Sequence, residues 1–529
     1  MLKNLLKRNF IFFGFIVFFI FIYWLFIFVP PHTDEFVAYN SIACLNFENY
    51  DLAYMSTYSL SCNNLTYKFF DFEFYKSFPY IGNINALLYY PIYKIYPEVY
   101  SHYIYGTLFL ILFSLVTIKS LKVELKMVLL PLLYFPLAYN YIHDSGPIKM
   151  ACLSFPLLIF LFNEISINQS FNKKNLYQTI IISLIIILAI EEKVFYIYLA
   201  PGIFLGAYIF SQGYKNFKFN YSKKFINFKF TRNFLFNIFI LIGLISIGLI
   251  FILLFTQKYI PRFQMDVPLL AYLSGILANL RAESFLTNFK YALTYMVSPL
   301  SYTRRVFPVP LDISSIYNIV SFLSFMPVVI IILSFYRKNK KFFRRISVPF
   351  ILTLIIFFIT KSTDQPHHYV YLHLFVLFSL IIFASKNNYN YNISIIALII
   401  LTSVNIGLTS FFNKTDKFLS SAEVNKIILI PEINTNDKKI LNFSDWGGYF
   451  QTSLYRQTNT NIVTMIAPLD NKKAKDLTNL MKKLNLKKFF NICSNCNKKT
   501  LKNYFPNSNN IKLIKNDEYK IWKIYEITY

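Results

Sequence analysis

Two adjacent carboxylates, Asp34 and Glu35, follow the uncharged apolar run 10–30 in the stretch PPHTDEF. A carboxyl group at a membrane boundary is partly desolvated, so its pKa rises and it suits the role of general base toward an acceptor hydroxyl. The alternative is ordinary solvation or capping of a helix end, which requires no chemistry. The two residues alone leave both interpretations open.

A second polar stretch, HDSGPIK at 143–149, contains His143 and Asp144 at the end of one apolar run. The next run opens with Pro147 and Lys149. Asp144 or Ser145 is a natural N-cap before a helix whose first turn contains proline. A well-capped turn is therefore the structural alternative to a binding role.

A third stretch, EEK at 191–193, separates two apolar runs, where any ionisable group is energetically unfavourable. We predict that Glu191, Glu192 and Lys193 fill a three-residue turn. A lysine on such a turn is placed to hold a phosphate at the membrane surface. The alternative is a lysine that only anchors the turn at the interface.

A fourth stretch, KSTDQPHHYVYLH, places His367 and His368 at the start of an apolar run and His373 inside it. Imidazole and carboxylate groups bind divalent metals, so His368 with Glu192 is an alternative metal site. The spacing matches no known zinc pattern. Hydrogen bonding to a phosphate or sugar is the simpler role, and we expect no required cofactor.

Composition identifies the class of protein that carries these residues. The chain has 529 residues, of which 55% are hydrophobic, and its mean hydropathy is +0.44. This is too apolar for a soluble protein of that length and predicts a polytopic α-helical membrane protein. The net charge of +27 would favour nucleic acid as the partner of a soluble domain. Here it favours basic loops held against anionic membrane lipid, so no nucleic acid partner is expected.

Eleven segments are long and apolar enough to cross a bilayer, and two weaker stretches within 257–312 would make thirteen. The predicted spans are 10–30, 102–118, 127–142, 148–163, 176–190, 194–213, 233–256, 314–335, 346–360, 369–385 and 391–412. With a cytoplasmic N-terminus, the inner loops contain 21 basic and two acidic residues, whereas the outer loops before the tail contain 12 basic and 14 acidic residues. The positive-inside rule supports this orientation. All four polar stretches then lie on the outer face.

The chain divides into a transmembrane domain, 1–412, and an extracytoplasmic tail domain, 413–529. The long outer loop 31–101 is predicted to contain interfacial amphipathic helices, since its segment FPYIGNINALLYYPIYKIY is too short and polar to span. In the tail, KIILI, KKILNF, NIVTM, KFFNI and YKIWKIYEI are predicted strands, and DNKKAKDLTNLMKKLN is a predicted helix. This alternation favours a small α/β domain.

The cysteines form two natural pairs outside the membrane, Cys44 with Cys62 and Cys493 with Cys496. A disulfide in an oxidising compartment is the simple interpretation of each pair. A Cys-x-x-Cys motif also binds zinc or performs redox chemistry in other proteins, but it has no companion ligands here.

Four stretches in this order on one face resemble the GT-C superfamily of membrane glycosyltransferases, and most of all the protein O-mannosyltransferase and lipid A aminoarabinose transferase group. The matching stretches are PPHTDEF after the first span, EEKVFYIYLAP, HHYVYLHLF, and NFSDWGGYF in the tail. The resemblance makes Asp34 the catalytic base, with Glu35 beside it. It also implies a set of residues that bind the donor phosphate or substrate: Lys193, Glu192, His143, Asp144, His367, His368 and Tyr369.

The same resemblance implies transfer of a sugar from a polyprenyl-phosphate-linked donor to an acceptor on the outer face of the bacterial cytoplasmic membrane. The acceptor would be a glycan, a lipid or a protein. Two other classes of function stay open: a transporter or flippase of a lipid-linked saccharide, and a non-catalytic membrane assembly protein. A transporter should show ionisable or helix-breaking residues near the middle of its spans.

Overall fold

A computed structural model gives the fold of the protein. The structure describes residues 17–18, 66–69, 72–75, 88–89, 91–92, 95, 101–142, 148–167, 173–192, 196–218, 243, 289, 294, 296–299, 316–359, 369–415, 441–445, 461–465, 471–483, 485–493, 496–516 and 523–529. The chain divides into two compact units. One comprises 1–28, 103–254 and 266–414, and the other comprises 29–102, 255–265 and 415–529.

The first unit is helical in its described parts. Its helices are α1 (Ser101–Leu121), α2 (Leu129–Leu133), α3 (Phe135–Ile142), α4 (Lys149–Ile167), α5 (Lys173–Glu192), α6 (Tyr196–Lys218), α7 (Ile316–Lys338), α8 (Lys340–Ile359), α9 (Val370–Ala384) and α10 (Asn388–Thr415). A short 3-10 helix, Leu125–Val128, precedes α2. Among these elements, α4 packs against both α5 and α6, and α6 packs against α8.

Within the described residues, three helices are long and apolar enough to cross a membrane: Tyr103–Leu121, Ile316–Lys338 and Asn388–Ser410. They correspond to the spans predicted at 102–118, 314–335 and 391–412. Shorter apolar helices occupy Leu176–Ile190, Leu199–Ser211 and Val370–Ala384. The total of eleven or thirteen spans stays a prediction.

The span predicted at 127–142 is broken. The segments Leu125–Leu133 and Phe135–Ile142 meet at 78°. The break is at Tyr134, whose backbone is extended (φ −80°, ψ 92°). Thr402 of α10 donates a hydrogen bond to the carbonyl of Leu133, and the Tyr134 carbonyl accepts from the backbone N–H groups of Leu137 and Ala138. Since lipid offers no hydrogen bonds to freed carbonyls, these bonds permit the break inside an apolar bundle.

Phe155 of α4 is at the centre of the packing in the helical unit. Its ring contacts those of Phe210, Phe375 and Phe378 in edge-to-face arrangements, with centroids 4.8–5.8 Å apart. All four rings are buried. These four aromatic rings therefore join α4, α6 and α9.

Helices α1 and α3 approach each other closely at Gly106. A Cβ atom added there would overlap the backbone carbonyl of Tyr141 and lie 2.9 Å from the Cα of Ile142. Only glycine permits this contact between the two backbones. The contact positions the start of α1 beside the end of α3.

The second unit contains a β-hairpin and a five-stranded sheet. The hairpin, β1 (Thr66–Phe69) and β2 (Phe72–Tyr75), lies within the segment 31–101, which was predicted as an outer loop with interfacial helices, and the hairpin itself was not predicted. The sheet contains β3 (Leu441–Asp445), β4 (Asn461–Met465), β5 (Lys488–Cys493), β6 (Asn510–Asn516) and β7 (Lys523–Thr528), in the order β4-β3-β5-β7-β6. Strands β4, β3 and β5 are parallel, whereas β7 is antiparallel to β5 and β6.

Two helices, α11 (Asn471–Lys483) and α12 (Lys498–Tyr504), accompany the sheet. The strand predictions NIVTM and KFFNI and the helix after NIVTM are confirmed, whereas α12 and β6 were missed. KIILI and the residues Trp446–Gly448 of NFSDWGGYF lie outside the described residues. Leu477, Phe489 and Ile527 are fully buried in the core of this part of the chain. Cys493 and Cys496 form a disulfide, as predicted.

Candidate functional site at the ends of the motif-bearing helices

Two of the predicted site residues, Glu192 and Tyr369, lie within the described part of the chain. The others lie outside it: Asp34, Glu35, His143, Asp144, Lys193, His367 and His368. The structure does describe the ends of the helices that adjoin three of the polar stretches. These ends show whether the stretches meet.

Glu192 is the last residue of α5 and is completely buried. Its two carboxylate oxygens accept hydrogen bonds from the backbone N–H groups of Met150 (3.1 Å) and Ala151 (2.9 Å). The prediction that Glu191 and Glu192 belong to a turn is therefore wrong. The helix continues through both residues, and the Glu192 carboxylate at its end accepts hydrogen bonds from N–H groups of a neighbouring helix.

The bonds of Glu192 cap the N-terminus of α4 from another helix. The carbonyl of Ile148 accepts the N–H of Cys152 (2.9 Å), so Ile148 is the residue before the first helical position. Met150 and Ala151 are then the second and third helical positions, whose N–H groups have no partner within their own helix. A carboxylate at this point also interacts favourably with the helix dipole. Asp144 and Ser145, predicted as caps, lie outside the described residues.

Lys149, the first residue of α4, is also completely buried. Its ammonium nitrogen lies 5.4 Å from the centroid of the Tyr105 ring, within the range of a cation–π contact. Its backbone carbonyl accepts a hydrogen bond from the hydroxyl of Tyr141 (3.1 Å). These contacts join the start of α1, the end of α3 and the start of α4. The sequence identified Lys149 only as a helix-opening residue, although a lysine next to a predicted helix start was the available signal.

The starts of α6 and α9 lie at the same place. The hydroxyl groups of Tyr196, the first residue of α6, and Ser154 of α4 are hydrogen-bonded. The ring of Tyr371, on α9, has its centroid 6.3 Å from that of Tyr196. The hydroxyl of Tyr371 is buried and makes no hydrogen bond within the residues that the structure describes. Tyr369, directly before α9, is fully buried.

We call this arrangement the Glu192 cluster, which consists of Tyr105, Tyr141, Lys149, Ser154, Glu192, Tyr196 and Tyr371. It brings together the helix ends at three predicted stretches: HDSGPIK at the junction of α3 and α4, EEK at the junction of α5 and α6, and HHYVY at the start of α9. The helix ends at these stretches therefore meet, whereas the prediction that the stretches share the outer face of the membrane stays a prediction. The arrangement gives their connecting segments anchor points beside a buried carboxylate, an ammonium and several phenols.

Among the described residues, no group of three or more His, Cys, Asp or Glu side chains is arranged to hold a metal ion. In the alternative metal pair, Glu192 uses both carboxylate oxygens on backbone N–H groups, and His368 lies outside the described part. Glu192, the residue of this pair that the structure describes, therefore has a structural role.

No protein-family model matches the chain, and no curated protein matches it. Solved structures that align with it include three of the oligosaccharyltransferase from the archaeon Archaeoglobus fulgidus. AglB with an inhibitory peptide and a dolichol-phosphate aligns at 10% identity and a TM-score of 0.39, over 92% of this chain and 70% of that chain. The form tethered to an acceptor peptide aligns at 10% identity and a TM-score of 0.41, over 92% of this chain and 69% of that chain. The complex with Zn and sulfate aligns at 10% identity and a TM-score of 0.40, over 90% of this chain and 67% of that chain.

Proposed function

We propose that this chain is a membrane glycosyltransferase that moves a sugar from a polyprenyl-phosphate-linked donor to an acceptor hydroxyl on the outer face of the membrane. The observation that carries the proposal is the hydrogen bonding of Glu192 to Met150 and Ala151. It joins the helix that ends at Glu192 to the helix that begins at Lys149, so stretches far apart in sequence have neighbouring anchor points.

In the proposed reaction, the acceptor oxygen attacks the anomeric carbon while the bond from that carbon to the donor's phosphate oxygen breaks. Asp34 takes the proton of the acceptor hydroxyl, and the leaving phosphate takes the bonding electrons. The developing negative charge on the phosphate requires cations or hydrogen-bond donors nearby. Lys193, His143, His367 and His368 supply such groups in this proposal, and they belong to the stretches anchored at the Glu192 cluster.

Glu192 has a different role in this proposal from the one predicted by sequence. A carboxylate would repel a phosphate, and both of its oxygens already bind backbone N–H groups. We assign it to positioning the segment that contains Lys193. The neighbouring lysine, and not the glutamate, then faces the charge of the donor.

The test is sugar transfer by Asp34→Asn in membranes, using labelled polyprenyl-phosphate sugars and a protein level matched to wild type. The substitution removes the base but preserves size, so transfer should fall about 10²–10⁴-fold. Glu35→Gln is assayed in parallel to determine which carboxylate of the pair is required. Glu124→Gln is the matched control, because Glu124 is exposed and pairs with Lys126 (2.8 Å) at a site away from the Glu192 cluster.

A loss confined to Asp34→Asn supports the proposal, and a loss confined to Glu35→Gln transfers the role of base to Glu35. If both variants and the control transfer sugar at the wild-type rate, the acid pair only ends a helix. The chain is then not a transferase of this kind, and the assembly function gains support.

A second function, transport of a lipid-linked saccharide, is favoured by one specific observation. The break between α2 and α3 lies in an apolar bundle, and Tyr134 at the break hydrogen-bonds to Nδ1 of His373 on α9. His373 is buried between the rings of Tyr134 and Phe325. Broken helices and intramembrane ionisable groups are typical of transporters.

The two functions are separated by flipping of a fluorescent polyprenyl-phosphate lipid in proteoliposomes. A transporter should lose flipping in His373→Phe and retain it in Asp34→Asn. A transferase should lose sugar transfer in Asp34→Asn and retain it in His373→Phe. It should also flip no more lipid than protein-free vesicles do. Each outcome excludes one of the two functions.

A further inference from the structure

The end of the helical unit opposite to the Glu192 cluster has a concentration of basic side chains. Helix α9 begins beside Tyr371 and ends before Lys386, and this length of helix measures about 22 Å. At that far end, the last turn of α7 contains Arg337 and Lys338, and α8 begins with Lys340 and Lys341. We call Arg337, Lys338, Lys340, Lys341 and Lys386 the basic surface.

An aromatic platform supports the basic surface. The buried ring of Phe335 packs against the rings of Phe342 (5.8 Å between centroids) and Phe383 (6.2 Å), which belong to α8 and α9. The ammonium nitrogen of Lys386 lies 4.8 Å from the Phe335 centroid. Because Lys386 is fixed on this platform and Lys338 follows Phe335 by three residues, cations from two distant parts of the chain lie side by side.

Like charges that are held together destabilise each other unless an anion is present. Partial burial and the neighbouring Lys338 lower the pKa of the Lys386 ammonium. The segment 335–350 contains no acidic residue. Glu124, on the segment that reaches the start of α10 through the Lys126–Asn388 hydrogen bond (2.8 Å), is already paired with Lys126. The basic surface thus places five cationic side chains at the ends of three helices.

Apolar side chains continue directly from the basic surface along the outside of α7 and α8. Leu333 is 57% exposed and Val348 is 55% exposed. The helix Ile316–Lys338 is long and apolar enough to cross a membrane, and Lys338 is its last residue. A ligand that fits both features has a negatively charged head and apolar chains that lie along α7 and α8.

We infer that the basic surface is a binding site for the phosphate headgroup of an anionic phospholipid, with the acyl chains on the exposed apolar side chains of α7 and α8. The ammonium groups of Lys338, Lys340 and Lys386 bind the phosphate oxygens. This site is separate from the proposed transferase chemistry, because it lies at the other end of α9.

The test measures binding of phosphatidylglycerol and phosphatidylcholine to the full-length protein in an uncharged detergent by native mass spectrometry. Wild type should retain phosphatidylglycerol in preference to phosphatidylcholine. Each lysine removed should weaken that preference about fivefold, as expected for one basic residue at an anionic surface. The variant is Lys338→Gln, Lys340→Gln and Lys386→Gln combined. The control combines Lys475→Gln, Lys482→Gln and Lys499→Gln, which are exposed lysines of the tail.

Lys386→Met is a second variant that retains the apolar stem over Phe335 and removes only the charge, so its fold is less at risk than that of the triple variant. It should weaken phosphatidylglycerol binding, whereas Lys386→Arg should restore it. The inference is overturned if wild type binds both lipids equally, if Lys386→Met binds phosphatidylglycerol as wild type does, or if the tail control loses as much binding as the triple variant.

Discussion

The carboxylate of Glu192 accepts the backbone N–H of Ala151 over 2.9 Å, although the two residues are 41 positions apart in the chain. The same carboxylate binds Met150 over 3.1 Å. One side chain thus satisfies two N–H groups that begin α4, and it does so from the last position of α5. The relationship makes Glu192 a structural residue at the place where sequence predicted a ligand.

Removal of the Glu192 carboxylate should destabilise the bundle. Glu192→Ala leaves two buried N–H groups without acceptors, and we expect the free energy of unfolding to fall by about 3 kcal/mol. Glu192→Gln retains one acceptor oxygen, so its free energy of unfolding should fall by about half as much. Thermal unfolding in detergent measures both. The comparison variant is Glu124→Ala, whose partner is an exposed lysine. Equal melting temperatures for Glu192→Ala and wild type would show that the cap has no stabilising role.

Gly106 and Gly407 provide a matched pair of helix glycines. Alanine at Gly106 would overlap the Tyr141 backbone, so Gly106→Ala should push α1 and α3 apart and destabilise the protein by about 3 kcal/mol. At Gly407 no atom lies within 4 Å of an added Cβ. Gly407→Ala should therefore be neutral or stabilise by up to about 1 kcal/mol. The yield and melting temperature of the two variants test this prediction. Similar values for both variants would contradict the backbone contact at Gly106.

The hydrogen bond between Tyr134 and His373 should contribute modestly to stability. A double-mutant cycle with Tyr134→Phe and His373→Phe should give a coupling free energy of about 0.6–1.7 kcal/mol, as measured for other hydrogen bonds inside membranes. Thermal unfolding of the four proteins supplies the values. A coupling of zero would mean that the bond does not maintain the break between α2 and α3.

The orientation in the membrane can be tested with two exposed positions. Lys475 is on α11 in the tail, and Lys340 opens α8. In intact cells, a membrane-impermeant maleimide should label Lys475→Cys and should label Lys340→Cys only after permeabilisation. Cys44 and Cys62 are changed to serine in both variants, while Cys152 is buried and Cys493 is disulfide-bonded. Labelling of Lys340→Cys in intact cells would invert the predicted topology.

Alkaline pH should destabilise the tail sheet through Tyr529. Its hydroxyl is hydrogen-bonded to that of Thr478 (3.0 Å), and its ring stacks on Phe489. Burial raises the pKa of Tyr529 above the ordinary value of about 10. The folded state thus favours the neutral phenol, so this contribution is complete below about pH 10 and is lost as the pH rises through the folded pKa.

Tyr529→Phe isolates this effect from that of the other tyrosines. It should be less stable than wild type near neutrality, because the bond to Thr478 is lost, by about 1 kcal/mol. The difference should shrink as the pH rises above about 10, because Tyr529 then ionises more readily in the unfolded chain than in the folded protein. Unfolding of the full-length protein at several pH values measures the difference. A constant difference across that range would exclude the contribution of Tyr529.

Regular apolar periodicity made the helices and most tail strands predictable. In NIVTM and KFFNI, apolar residues alternate with polar ones or follow one another, and turn-rich sequence surrounds both segments. Both are strands. β6 was missed because NIKLIKN has only three apolar residues among polar neighbours. The break at Tyr134 was missed because LPLLYFPLAY reads as one apolar run. Its two prolines were available as a signal, but the bonds from Thr402 and His373 that stabilise the break depend on tertiary structure.

The meeting of the helix ends beside HDSGPIK, EEK and HHYVY was predictable because the loops on one side of a membrane follow from the alternation of spans. The partner of Glu192 was not predictable. Hydropathy indicates where a helix ends, but it does not show whether the final carboxylate faces water or the N–H groups of another helix. Lys149 illustrates the same limit, since burial over the Tyr105 ring depends on how α1 packs beside α4.

The capping of α4 by Glu192 has a consequence for biogenesis. During synthesis α4 emerges first, and the carboxylate that completes its N-terminus is made only after all of α5. Until then, two N–H groups of α4 have no acceptor from the chain, and a lipid environment offers none. We expect the insertion machinery to retain α4 until α5 arrives and to release the two as a hairpin. The membrane part of this protein would then be assembled in pairs rather than one helix at a time.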